Sequence, residues 1–160
     1  AHNKFGDVLA AQGDTAGALE AYDAGLAVIQ RIAEADSANT GRQRDLAISH
    51  LRIGNILAAQ GDLAGALLSY RRSLVIIERL AAFDLHNAEW QRDLAVNNWK
   101  VATILAQQGA YAEALAMFHR GRDIVTGLGQ EFPDNPQFSK DVAEFDAEIA
   151  KLGQPTPARP

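Results

Sequence analysis

Apolar positions recur along this chain with helical spacing. In the middle of the sequence Leu63, Ala66, Leu67, Tyr70, Leu74, Ile77 and Leu80 form a stripe at a period near 3.6 residues, which predicts a helix burying one face. Arg71, Arg72, Glu78 and Arg79 fall on the opposite side and read as a solvated face. Near the end Phe138, Val142, Phe145, Ile149 and Leu152 make a second stripe, with Asp141, Glu144, Asp146, Glu148 and Lys151 around the rest. No stretch shows the alternation of a half-buried strand. The pattern predicts helices over about 1–12, 14–35, 40–60, 62–83, 88–108, 110–128 and 136–152, and an all-α fold.

The pattern also repeats. Leu9-Ala10-Ala11-Gln12-Gly13-Asp14 returns 48 residues later as Leu57-Ala58-Ala59-Gln60-Gly61-Asp62, and again as Leu105-Ala106-Gln107-Gln108-Gly109-Ala110. Asp45-Leu46-Ala47 recurs as Asp93-Leu94-Ala95 and as Asp141-Val142-Ala143, and Asn39, Asn87 and Asn135 share one register. A fixed period of this length marks a repeat array, whose units each bury their apolar face on a neighbour. The repeats run over about 1–39, 40–87 and 88–135 within a single domain spanning 1–152. A helix at 136–152 caps the array and a Pro-rich tail covers 153–160.

Each period reads as two helices. The glycine of Gly13-Asp14 and Gly61-Asp62 can take the left-handed backbone that closes a helix. The aspartate can then cap the next one. Gly109-Ala110 lacks that cap, at a cost of about 1 kcal/mol. Between periods the three asparagines are N-caps, and Pro136 after Asn135 suits a first helical position. Pro133 helps stop the preceding helix, and Gly127-Leu128-Gly129 reads as its terminator. Residue 1 aligns with residue 49, inside a helix. The chain is therefore expected to be a piece of a longer protein, with Phe5 and Leu9 exposed at an N-terminal edge suited to self-association.

Composition narrows function by exclusion. Apolar residues make up 48% and charged residues 22%, with net charge −5 and a pI near 5.3. That balance disfavours general nucleic-acid binding, and no apolar run reaches membrane-spanning length. There is no cysteine, so disulfides and thiolate chemistry are excluded; a reducing, cytoplasmic setting fits. The histidines His2, His50, His86 and His119 have no metal-ligand spacing, and no phosphate loop or nucleophile elbow occurs. No enzyme activity, cofactor, metal, nucleic acid or membrane is expected.

The repeat core resembles the tetratricopeptide repeat. Gly6, Gly54 and Ala102 precede the turn glycines by seven residues. Ala18, Ala66 and Ala114 follow, then Tyr22, Tyr70 and Phe118 four residues on, with Gly25, Ser73 and Gly121 at a further small position. The family repeat has 34 residues rather than 48. The long period and the stretch Trp90–Ala95 resemble arrays in bacterial signalling NTPases and caspase-like proteases. The resemblance implies a right-handed α-solenoid of antiparallel helix pairs. Its function would be a non-catalytic protein–protein interaction scaffold that holds a partner peptide against the first helices; the alternative is a sensing or oligomerising array of a larger signalling protein. The groove candidates are Asn3, Lys4 and Asp7 in the first repeat, Arg44, Leu51, Arg52 and Asn55 in the second, and Arg92, Trp99, Lys100 and Thr103 in the third. Arg52, Asn55 and Lys100 match positions that grip a terminal carboxylate in chaperone-binding members. The further lysine of that set is replaced by Asn3, Leu51 and Trp99. The charges either bind a partner or pair with Asp45, Asp93 and Asp141 of neighbouring repeats. Trp99 is either an anchoring ring or buried between helices.

Overall fold

The computed structural model describes residues 2–153, with side chains from residue 4 onward; the tail expected from 153 lies, beyond Gly153, outside them. Among the described residues there are seven helices and no strand: α1 (His2–Ala11), α2 (Thr15–Ala35), α3 (Thr40–Ala59), α4 (Leu63–Phe83), α5 (Ala88–Gln107), α6 (Tyr111–Glu131) and α7 (Pro136–Gly153). The chain divides into two compact units, at Ala1–Phe83 and Asp84–Pro160. In the first, α1 pairs with α2, α3 pairs with α4, and α2 packs on α3. In the second, α5 pairs with α6 and α6 packs on α7.

The hairpin turns follow from their glycines. Gly13, Gly61 and Gly109 have φ of 83°, 83° and 81°, backbone that an L side chain resists. The next residue's N–H then reaches back to close the preceding helix. Asp14, Asp62 and Ala110 donate to the carbonyls of Leu9, Leu57 and Leu105, each at 2.9 Å, the Schellman arrangement. Asp14 caps α2 by accepting from the Gly17 N–H at 2.9 Å. Asp62 does the same from Gly65 at 2.9 Å. Ala110 offers no side-chain cap to α6. Asn39 and Asn87 accept from Arg42 and Trp90, both at 3.1 Å, and Asn135 accepts from Gln137 at 3.1 Å.

One expected boundary is corrected. α6 continues through Gly127 and Gly129 to Glu131, so those glycines are interior rather than terminating. Leu128 between them is buried, and that burial outweighs a helix-interior glycine cost of about 1 kcal/mol each. The helix closes where the Phe132 N–H meets the Leu128 carbonyl at 2.8 Å, directly before Pro133.

Packing centres on the aromatic of each second helix. A Cβ added at Gly6 would lie 2.5 Å from Tyr22 Cε1, and one at Gly54 would lie 2.5 Å from Tyr70 Cε1. Each ring therefore occupies the space that a side chain on the first helix would fill. Tyr22 also reaches the next hairpin, sharing one core cluster with Ala18, Ile53 and Ile56. In the second unit the cluster is Ala95, Ala102, Phe118, Val125 and Phe145, flanked by Trp99, Val142, Ile149 and Leu152. α7 thus closes over α6 with the stripe read from the sequence, and its Phe145 ring fills the space above Gly121. Of the α4 stripe, Ala66, Tyr70, Leu74, Ile77 and Leu80 are buried. Arg71, Arg72, Glu78 and Arg79 are exposed.

At the N-terminal edge, Phe5 and Val8 are the exposed apolar residues. Leu9, expected to be exposed with Phe5, is half-buried and packs on the α2–α3 cluster. The α2 side of α1 claims Leu9.

His50 is buried on α3. Burial, and then the positive charge of Arg72, holds its pKa below the usual 6.5. An unfolded chain takes up this proton near 6.5 while the folded chain resists it. The resulting stability is complete above the unfolded value and is lost as pH falls through it towards the folded value. Asn98 stands in the same register and donates to the Leu94 carbonyl at 2.8 Å, so asparagine occupies the equivalent position, with its buried Oδ1 unpartnered among the described residues.

His50→Asn is therefore expected to shrink the fall in melting temperature between pH 7.5 and pH 5. An equal fall in the variant and the parent, measured by circular dichroism, rejects the assignment. Gly54→Ala is expected to cost about 1–3 kcal/mol by overpacking against the Tyr70 ring, offset by about 1 kcal/mol of helix propensity. The Tyr70 hydroxyl is bonded to Asn55, which holds the ring in place. In a Tyr70→Phe background the ring can shift and the cost falls. Denaturant melts of the four proteins test this, and equal costs in both backgrounds contradict it.

Candidate partner-binding site

The first unit spends most of its candidate polar groups on itself. A buried tyrosine needs a partner for its hydroxyl. Tyr22 donates to Asp7 Oδ1 at 2.7 Å and Tyr70 donates to Asn55 Oδ1 at 2.8 Å. Burial, then the hydrogen bond and charge of Asp7, pushes the Tyr22 pKa up to about 12. Burial alone pushes Tyr70 to about 12. The second carboxylate oxygen of Asp7 faces Arg52 Nη2 at 3.3 Å. This pair is about a third exposed or more, so it adds at most about 1 kcal/mol. Asp7, Arg52 and Asn55 are thus joined to the structure's own groups. Lys4 is exposed, whereas Arg44 and Leu51 are half-buried. The Asn3 side chain lies outside the described side chains.

The third aromatic is Phe118, which has no hydroxyl. The register position that holds Asp7 and Asn55 holds Thr103 there, and its hydroxyl turns back to the Trp99 carbonyl at 2.9 Å. The acceptor is present where the tyrosine is and missing where it is not. Lys100 beside it is half-buried. Burial lowers its pKa.

Two candidates of the second unit do converge. Arg92 and Trp99 on α5 line a cavity of about 260 Å3, completed by Ala95, Val96, Val125 and the α7 residues Gln137, Asp141, Glu144 and Phe145. Trp99 sits edge-on to Phe118 at 5.2 Å and to Phe145 at 4.9 Å between ring centroids. One part of Trp99 thus packs on the core and another lines the cavity. Its position is fixed by two aromatic neighbours.

The charges around this cavity are unequal. Arg92 Nε faces Asp141 Oδ2 at 3.5 Å, and Gln137 donates to Asp141 Oδ1 at 2.6 Å. That pairing between successive register positions is the one read as the alternative to partner binding. Glu144 is exposed, and no described residue pairs with it. Elsewhere on α7, Asp146 pairs with Arg122 and Glu148 with Lys151. The cavity thus joins apolar walls, an aromatic ring and one carboxylate with no partner among the described residues.

The α7 wall was legible in principle. Glu144 is the register equivalent of Val96, which lines the cavity from α5, and Asp141 is that of Asp93, named in the sequence as a pairing partner. Among the described residues no three His, Cys, Asp or Glu side chains gather as a metal site, and no helix is long and apolar enough to cross a membrane.

No protein-family model matches the chain, and no curated protein matches it. Two crystal structures of MamA are similar to it. One is 14% identical with a TM-score of 0.34, over 91% of this chain and 96% of that one. The other is 13% identical with a TM-score of 0.33, over 98% of this chain and 96% of that one. Superposition this loose carries no argument about function. The fold reading stands on the chain's own geometry, an all-α set of tetratricopeptide-like hairpins with a glycine turn and an aromatic seated in each.

Proposed function

We propose that the chain is a non-catalytic protein–protein interaction scaffold whose anchor point is the α5–α7 cavity. The partner segment lies on α5, with Arg92, Trp99, Lys100 and Thr103 as its contacts. The observation that carries this reading is the cavity itself. At about 260 Å3 it falls below the roughly 300–1,000 Å3 typical of small-molecule and cofactor sites, and suits one inserted side chain. Its apolar walls fit an aliphatic stem. Trp99 and Glu144, which has no partner among the described residues, fit a cationic head at the rim. A lysine or arginine of the partner segment is the side chain that satisfies all three. A second reading, an oligomerising array of a larger bacterial signalling NTPase or caspase-like protein, draws on the 48-residue period and the exposed Phe5 and Val8.

Panning a random peptide library against the chain is expected to enrich segments with a basic residue. Glu144→Lys should weaken those peptides by about tenfold or more, or about 1.4 kcal/mol, with the melting temperature unchanged. Trp99→Phe should retain part of the binding. Enriched peptides that hold Glu144→Lys as tightly as the parent would place the anchor elsewhere.

A further inference from the structure

The side of α4 turned away from its buried stripe carries more than charge. Leu68, Arg72, Val75 and Arg79 follow one another at spacings of four, three and four residues, so they stand on one line along the helix. All four are exposed, Leu68 at 53% and Val75 at 47%. Neither Arg72 nor Arg79 has an ion-pair partner among the described residues. The register equivalents are Glu20, Ala24, Ala27 and Arg31 on α2, and Ala116, Arg120, Asp123 and Gly127 on α6. Only α4 alternates large apolar residues with arginines at these positions. The line also borders two hollows. His50 of α3 lines one of about 360 Å3 with Leu68, Arg71, Arg72, Val75 and Ile76. Thr40 and Gln43 of α3 line another of about 430 Å3 with Ile76, Arg79, Leu80 and Phe83. Ile76 belongs to both, so the hollows adjoin along α4.

We propose that this face of α4 is a docking seat for an acidic amphipathic helix of a partner protein. Charge complementarity selects the occupant. Arg72 and Arg79 call for carboxylates, which a guanidinium takes in a forked pair. Leu68, Val75 and Ile76 call for apolar side chains between and beside them. The two arginines stand two turns apart, about 10 Å along the axis. A helix laid alongside rises at the same rate, so carboxylates with the same spacing meet both. Its apolar residues between them enter the hollows at Val75 and Ile76, as in helix-in-groove recognition. Hollows that accept side chains favour such a segment over the flat headgroup layer of a lipid surface. The α5–α7 cavity asks for a basic partner segment and this seat for an acidic one. The seat therefore stands whether or not that cavity binds a peptide.

A display library of helical peptides tests this. Glutamate is fixed at two positions with the spacing of the arginines, and the rest of that face varies among alanine, leucine, isoleucine, phenylalanine and lysine. Peptides selected on the full chain are titrated by fluorescence anisotropy. Large apolar residues should be enriched between the glutamates. The chain carrying Arg72→Glu and Arg79→Glu should bind the selected peptides about tenfold or more weakly. Both positions are exposed, so the melting curve of that variant should match the parent's. Peptides with both glutamates replaced by lysine should lose the parent and regain the variant. Vesicles of phosphatidylserine form a second arm. Recovery of no saturable binder, equal binding by the charge-reversed chain, or a loss that the lysine peptides do not restore overturns the proposal. So does capture by the vesicles that depends on Arg72 and Arg79 while no peptide binds, because the seat would then belong to a lipid surface.

Discussion

A tyrosine ring resting where a glycine leaves room is the interaction on which the first unit depends. It does two things at once. It lets the two helices of a hairpin approach until the ring fills the missing side-chain volume, as Tyr22 does over Gly6 and Tyr70 over Gly54. In the case of Tyr22 it also extends into the next hairpin, against Ile53 and Ile56. A hairpin alone would leave this ring half in water. Burial of a large aromatic is worth about 1.5–3 kcal/mol or more, and part of that gain is realised only when a neighbour stacks on it. That is the physical reason why the unit is a pair of hairpins rather than one.

The same ring decides what the polar residues of α1 and α3 can do. Its hydroxyl enters the hairpin with the ring and must be met there. Asp7 and Asn55 meet it, and Asp7 then holds Arg52 as well. In the second unit Phe118 makes no such demand, and Phe145 of α7 and Trp99 take up the space around it. Trp99 also lines a cavity there beside Glu144, with which no described residue pairs. In the first unit the tyrosine hydroxyls thus decide which polar groups are held internally.

Much of the fold was legible because the features that build it recur at one period. Gly13, Gly61 and Gly109 announce the turns. Asp14 and Asp62 announce the caps that follow, and the missing cap at Ala110 is visible by comparison. Gly127 and Gly129 misled because glycine near a helix end reads as a stop, whereas burial of Leu128 carries α6 on to Glu131. Leu9 misled because the sequence shows which residues are apolar and not which side of α1 is already covered. The site was less legible. Side chains such as Asp7 and Asn55 look available until the tyrosine hydroxyl that claims them is placed. The pairing of Tyr22 with Asp7, Tyr70 with Asn55 and Phe118 with Thr103 was present in the sequence as a register correlation. Its meaning needed the geometry.

If rings seated between neighbouring hairpins hold this chain together, the loss of one ring should be felt locally. Native-state hydrogen exchange on Tyr22→Ala measures this directly. Protection in α1 and α2, and on the face of α3 that bears Ile53 and Ile56, should fall sharply while α6 and α7 keep theirs. A loss spread evenly over all seven helices, or protection in α1 and α2 equal to the parent's, would contradict the account.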